Sequence, residues 1–390
     1  MAGAGSAPSG VIHEGEIHVG VHWDGDRVVQ TAIRSTRPFV AGRLLVGKSV
    51  ADAVATVPLL FSVCGRSQSV AAAAACEAAS GVSPDDATRA ARDVLVEAET
   101  VQEVLSRMLI DWPRTLGEAL DASAVAAARR GIATATVRIA GASGYRTAAV
   151  PAAVHAAAVA VREAGTPCAT ERLLGERPGA WLAGSVVEWL RRSDAPAARR
   201  LRALRGRSPA LGASGVPLLA TIGEDAVRTH LAPALAADPA FERTPSWLGA
   251  PAETGALARM QGHPAIAGLL HETGRSVLAR LTARLTELAS ILAGEPRPRH
   301  GAVTLAAGEG AGWVETARGL LLHRASARDG RIVGYRIVAP TEWNFHPCGA
   351  LCRGLTGARF ASEPELRRGI ALVAHSLDPC VAFSMEVRGA

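Results

Sequence analysis

The sequence predicts an α+β fold, predominantly helical, with long helices in a central bundle and small antiparallel β-sheets beside it. Ser83-Pro84-Asp85-Asp86 opens a helical pattern that continues to Asp111, about 27 residues or about 40 Å. Pro264 to Ala293 carries Ile266, Leu269, Leu270, Val277, Leu278, Leu281, Leu285, Leu288 and Leu292 on one broad apolar face. Two such helices are stable when packed together, which argues for a bundle. Near the start, and again over Gly312 to Ala339, the period changes to that of strands. The chain has 390 residues, 48% of them hydrophobic, enough for a large core. It shows neither internal repeats nor a low-complexity linker, so residues 1–390 read as a single domain.

Ile12 to Val21 and Arg27 to Ile33 alternate apolar with polar residues around Asp24-Gly25, which predicts an opening hairpin. Val50 to Leu60 has helical spacing that Pro58 should kink or end. Arg66 to Ala79 is an alanine-rich helix with Cys64 just before its start, where backbone N–H groups and the helix dipole favour a thiolate. Cys76 reads as a small core residue of that helix. Over 116–212 helical patterns occur at Thr147 to Ala164, Gly179 to Arg192 and Ala195 to Leu204 without recognisable chemistry, and Cys168 reads as incidental. Val216 to Ile222 is a strand candidate and Glu224 to Ala237 a helix. Trp313 to Glu315, Gly319 to His323 and Ile332 to Val338 read as strands, with Arg328-Asp329-Gly330 as a turn. Glu363 to Leu377 is a final helix, delivering Asp378-Pro379-Cys380.

No apolar run approaches the roughly 18 residues that a membrane helix needs, and residues 1–10 lack the marks of a secretion signal, which argues for the cytoplasm. Six cysteines are then expected to be reduced thiols. The net charge is +6, and Arg191, Arg192, Arg199, Arg200, Arg202, Arg205 and Arg207 form a basic run. Lys48 is the only lysine, so arginine is the general surface cation; no aromatic platform accompanies the run, and no nucleic-acid partner is expected.

Two motifs at opposite ends of the chain carry the chemistry. Val63-Cys64-Gly65-Arg66-Ser67-Gln68 resembles the Cys-Gly-x-Cys-x-x-x-His of nickel-iron hydrogenase large subunits, and Asp378-Pro379-Cys380-Val381-Ala382-Phe383 resembles their Asp-Pro-Cys-x-x-Cys-x-x-His. Each keeps its first cysteine only: Ser67 and Phe383 replace the second, and Ala71 and Glu386 replace the histidines. Further similarity lies in His13-Glu14-Gly15, in Ile110-Asp111-Trp112, in Thr254 to Arg259 and in the block from Glu315-Thr316-Ala317-Arg318-Gly319 to Ala339-Pro340-Thr341-Glu342-Trp343-Asn344. The resemblance implies the large-subunit fold and a site shared by Cys64 and Cys380. In the family four cysteines hold nickel and two of them bridge to an iron with cyanide and carbonyl ligands. With both bridging positions lost, nickel is not expected, since neither serine nor phenylalanine is a soft ligand. The iron shell is kept: the resemblance places Arg318 against a cyanide, Pro340 and Thr341 along the other diatomic ligand, Asp378 as the residue orienting Arg318, and Glu14 on a proton path.

That pattern resembles the hydrogenase expression/formation proteins, and it implies a non-catalytic scaffold holding an Fe(CN)2(CO) precursor through Cys64 and Cys380. Its partners would be hydrogenase maturation proteins and the hydrogenase large subunit. A divergent hydrogenase or hydrogen sensor with a two-cysteine site, and a metal-free chaperone with core thiols, are the competing readings, because fold alone does not decide function. His346, Cys348 and Cys352 place soft ligands close in sequence, at a spacing that matches no common zinc pattern. The tail beyond Cys380 is expected to be open and weakly anchored, with no segment cleaved after Glu386.

Overall fold

A hairpin of β1 (Glu16–Trp23) and β2 (Val28–Ser35) begins the structure, a computed structural model that describes residues 15–61, 63–295 and 297–389. Ile17, Val19 and Val21 are buried in strict alternation, which fixes the face that β1 turns to the core. Glu14 lies outside the described residues.

Pro58 acts as expected: helix Val50–Thr56 tightens into a 3-10 turn, Val57–Leu60, before the first cysteine segment. Helix α1 (Gly65–Ala79) follows, and helix α2 (Asp86–Ser106) starts where Asp85 accepts the N–H of Thr88 at 2.7 Å. α2 does not stop at Asp111. A π-turn, Arg107–Asp111, joins it to helix Trp112–Leu116, which ends at Gly117 with φ 72°.

Several expectations over the middle of the chain are corrected. Helix Ala122–Thr136 has no counterpart among the predicted elements, and the pattern at Gly179 to Arg192 is two helices, Pro178–Ala183 and Val186–Arg192. Residues 216–222 form no strand ladder; one isolated bridge pairs Leu218 with Glu253. The pattern from Pro264 to Ala293 is also two helices, Pro264–Thr273 and α3 (Val277–Ala293). Gly274 takes φ 64° between them, and Ser276 caps α3 by accepting the N–H of Ala279 at 3.2 Å. Both helices bury an apolar face, so the hydrophobic spacing runs on across the break.

Strands β3 (His300–Ala306), β4 (Glu309–Thr316), β5 (Gly319–Arg328) and β6 (Arg331–Val338) form one antiparallel sheet in sequence order. Asp329 and Gly330, with φ 49° and 71°, close the β5–β6 hairpin. β4 lies directly on α1: a Cβ built on Gly312 would come within 2.5 Å of Ala75 N, and one on Gly310 within 2.3 Å of Ala79 N. Only alanine on the helix and glycine on the strand permit that approach, which gives the alanine-rich stretch a packing reason beyond helix propensity.

Helix α4 (Pro340–Asn344) is wholly buried, and helix α5 (Glu363–Leu377) matches its expected bounds. The tail is not open. Residues Ala382–Gly389 form β7, parallel to β1, giving a second sheet of order β2-β1-β7 that pairs the last described strand with the first. The bundle core is built from α2, α3, helix Pro151–Ala169 and their neighbours. In the basic run Arg191 and Arg192 pair with Glu188, Arg200 with Glu118 and Arg205 with Glu272. No described helix is long and apolar enough to cross a membrane.

Candidate metal-holding site

The fold brings the two thiols into one cluster. Cys64 is the N-cap of α1; Cys380 follows the end of α5, where Asp378 turns the chain with φ 59°. Enclosure of its sulfur, then the charge of Cys380 and of Glu99, push Cys64 up to about 12. Thr341, in the first turn of α4 beside buried Pro340, accepts the N–H of Cys380 at 3.2 Å, and its hydroxyl lies 3.1 Å from Cys380 Sγ. Cys64, Cys380, Pro340 and Thr341 therefore converge from three separate segments.

A stabilised thiolate at the helix start is not what the structure holds. The Glu99 carboxylate, from α2, accepts the first-turn N–H groups of Arg66 at 2.9 Å and Ser67 at 3.2 Å, and also the hydroxyl of Ser67. The anion at this helix terminus is a carboxylate. Ser67, at the position of a family cysteine, is thus committed to Glu99. Phe383, at the other, packs edge-on against His375 with ring centroids 5.3 Å apart. Ala71 is sealed in the core, and Glu386 pairs with Arg388 on exposed β7.

Arg318 lies between β4 and β5, almost fully buried. Glu103 of α2 accepts from its Nη2, and Asp378 Oδ1 stands 3.6 Å from its Nε, so two carboxylates hold the guanidinium. Asp378 in turn accepts from Arg284 Nη1 at 2.8 Å and sits 2.7 Å from Arg107 Nε. Burial alone would raise its pKa, but the three arginines outweigh burial and hold this carboxyl well below the usual range. The π-turn in α2 matters here because it carries Arg107. Asn344 ties the cluster together: its Nδ2 donates to Arg318 O at 3.1 Å and Leu377 O at 3.3 Å, and its Oδ1 accepts the N–H of Thr254 at 2.9 Å.

Arg37, which no pattern singled out, stands at the end of β2. Its Nη1 meets Glu342 Oε1 and Oε2 at 2.6 and 2.8 Å. Burial opposes its charge, while Glu342, Cys380 and Cys64 hold its proton firmly. Two guanidinium groups, Arg37 and Arg318, thus balance the thiol pair. Spacing gives no signal for Arg37, Glu99 or Glu103, because each reaches the site from a different element.

Among the described residues, no group of three or more His, Cys, Asp or Glu side chains is placed to hold a metal. The segment at 346–352 does not converge: His346 Nδ1 accepts the N–H of Cys348, and Cys352 Sγ lies 3.5 Å from Thr31 O. A two-thiol site beside the buried Arg318 suits an anionic metal complex better than a bare cation. Arg318 Nε faces Asp378 Oδ1 at 3.6 Å, and the charge of the guanidinium is felt at Cys64. Cys64 and Cys380 would hold iron, and Arg318 its cyanide.

Comparison with known proteins places this geometry in a class. Residues 254–386 match the family model described as nickel-dependent hydrogenase. The whole fold is similar to that of the nickel-iron-selenium hydrogenase of Desulfomicrobium baculatum, with a TM-score of 0.62 at 15% identity, over 92% of this chain and 95% of that one. The fold is that of a nickel-iron hydrogenase large subunit. Within that class the chain belongs to the hydrogenase expression/formation proteins: it is 32% identical over 381 residues to HoxV of Cupriavidus necator, covering 91% of this chain and 92% of HoxV. It is also 32% identical over 375 residues to HupK of Rhizobium leguminosarum bv. viciae, covering 92% and 93%.

Proposed function

We propose that this chain is a non-catalytic maturation scaffold, which holds an iron dicyanide carbonyl unit through Cys64 and Cys380 and passes it to a nickel-iron hydrogenase large subunit. The relatives named for hydrogenase expression and formation support a role in maturation. The observation that carries the finer reading is that both thiols lie near the buried guanidinium of Arg318, while the other two ligand positions of the family are turned to other uses. Serine locked on Glu99 and phenylalanine packed on His375 leave only two of the four sulfur ligands that hold nickel in the family. Fewer metal–sulfur bonds also ease release, which a carrier needs and an enzyme avoids.

Infrared spectroscopy of protein purified without oxygen, together with metal analysis, tests this. Cyanide and carbonyl bands with iron and without nickel are expected. Stoichiometric nickel in a chain ending after Glu386 would restore the hydrogenase reading, and thiols that take up no iron unit would leave a metal-free chaperone.

A further inference from the structure

A line of buried hydrogen bonds ends on one of the two thiols. Gln68, in the first turn of α1, is 1% exposed, and its Nε2 lies 3.7 Å from Cys64 Sγ. Its Oε1 is 2.9 Å from Nε2 of His323 in β5, and His323 Nδ1 is 2.7 Å from the hydroxyl of Tyr335 in β6. His323 is fully enclosed between Gln68 and the Tyr335 ring, which it meets edge-on. A buried polar line of this length is costly unless every member has its partner, and here each does.

The polarity of the line follows from its members. Burial pushes His323 down to about 3, so the ring is neutral and carries a single N–H. Burial likewise raises Tyr335 and keeps its phenol protonated. Gln68 turns its amide nitrogen to sulfur and its oxygen to His323, so the oxygen accepts and the hydrogen of His323 sits on Nε2. The bare Nδ1 then accepts from the Tyr335 hydroxyl. The Tyr335 hydroxyl, the His323 N–H and one of the two Gln68 amide N–H groups then each have an acceptor.

We propose that Gln68 is a positioning residue that presents its amide N–H to the sulfur of Cys64, with His323 and Tyr335 fixing the direction of that amide. In terms of the scaffold reading, on which the consequence for iron rests, Cys64 is a hydrogen-bonded sulfur ligand of moderated donor strength. The device is specific to one thiol, since Cys380 is served by Thr341 instead.

The test uses the full chain freed of metal, with iodoacetamide as the probe, and reads labelling of Cys64 against Cys380 within the same molecules by peptide mass spectrometry. Removing the amide donor with Gln68→Met should slow Cys64 about threefold and leave Cys380 unchanged, because fewer attacking thiolates are partly offset by a more nucleophilic sulfur. Tyr335→Phe, which keeps the ring in the core, should shift the ratio the same way by a smaller factor. Nitrogen NMR of histidine-labelled protein should find His323 protonated at Nε2. An unchanged ratio in both variants, or a proton on Nδ1, would overturn the proposal. These measurements need no iron, so failure of the carrier reading, seen as absent cyanide and carbonyl bands, is a separate result.

Discussion

Cys64 stands at the head of a helix sealed beneath a sheet, whereas Cys380 stands between the end of α5 and a strand at a sheet edge. On the first side α1 is buried over nearly its whole length, and β4 presses on it so closely that glycine is required. On the second side β7 has, among the described residues, β1 as its only strand neighbour and is largely exposed or half-buried. The difference teaches which thiol is the anchor: moving Cys64 would unpack a core, while moving Cys380 needs its hydrogen bonds with Thr341 and the β7–β1 pairing to part. A carrier that must both hold and release its cargo is well served by one fixed ligand and one that moves.

The largest effect is expected beneath the Cys380 end, where Asp378→Asn leaves Arg107, Arg284 and Arg318 sharing a site without their carboxylate. Removing one partner of such a buried set costs about 3–5 kcal/mol, measurable by urea unfolding, whereas Cys64→Ser should cost about 1 kcal/mol or less. Equal losses at the two would remove the contrast. Next in size is iron retention. Arg318→Leu would also strand Glu103, so Arg318→Lys is the cleaner change; losing a charge-assisted hydrogen bond of about 1.5–3 kcal/mol should weaken retention roughly tenfold or more, read as iron per protein after gel filtration. Unchanged iron would mean that Arg318 only supports the fold.

A smaller effect distinguishes the thiols by pH. The folded state raises Cys64 to about 12, above an unfolded thiol at about 8.5, so its protonated form is the one that folding favours. That contribution is fully present below about pH 8.5 and is lost as pH rises towards about 12. Alkaline unfolding of the wild type should therefore be steeper than that of Cys64→Ser, and identical curves would place Cys64 in water. The smallest effect is dynamic: amide hydrogens of β7 should exchange before those of β5, which lies between two strands. Slower exchange in β7 would assign release to another part of the molecule.

The elements that carry their own local signals were legible in the sequence: α1 by its run of alanine, the start of α2 by its cap and acidic first turn, the Asp329-Gly330 hairpin by its turn residues, the effect of Pro58 by its missing N–H. Legible too, through the resemblance, were Cys64, Cys380, Arg318, Pro340, Thr341 and Asp378, all of which the fold gathers. What only the tertiary structure decided was who bonds to whom. Glu99 takes the helix terminus that Cys64 was expected to exploit, Glu103 joins Asp378 on Arg318, Arg37 arrives beside the thiols, and Gln68, His323 and Tyr335 align behind one of them. The tail becomes β7 because its partner, β1, lies at the other end of the chain. Caps, turns and amphipathic faces act over a few residues and leave a period or a motif, whereas buried ion pairs and strand partners join residues far apart in sequence and leave no local pattern.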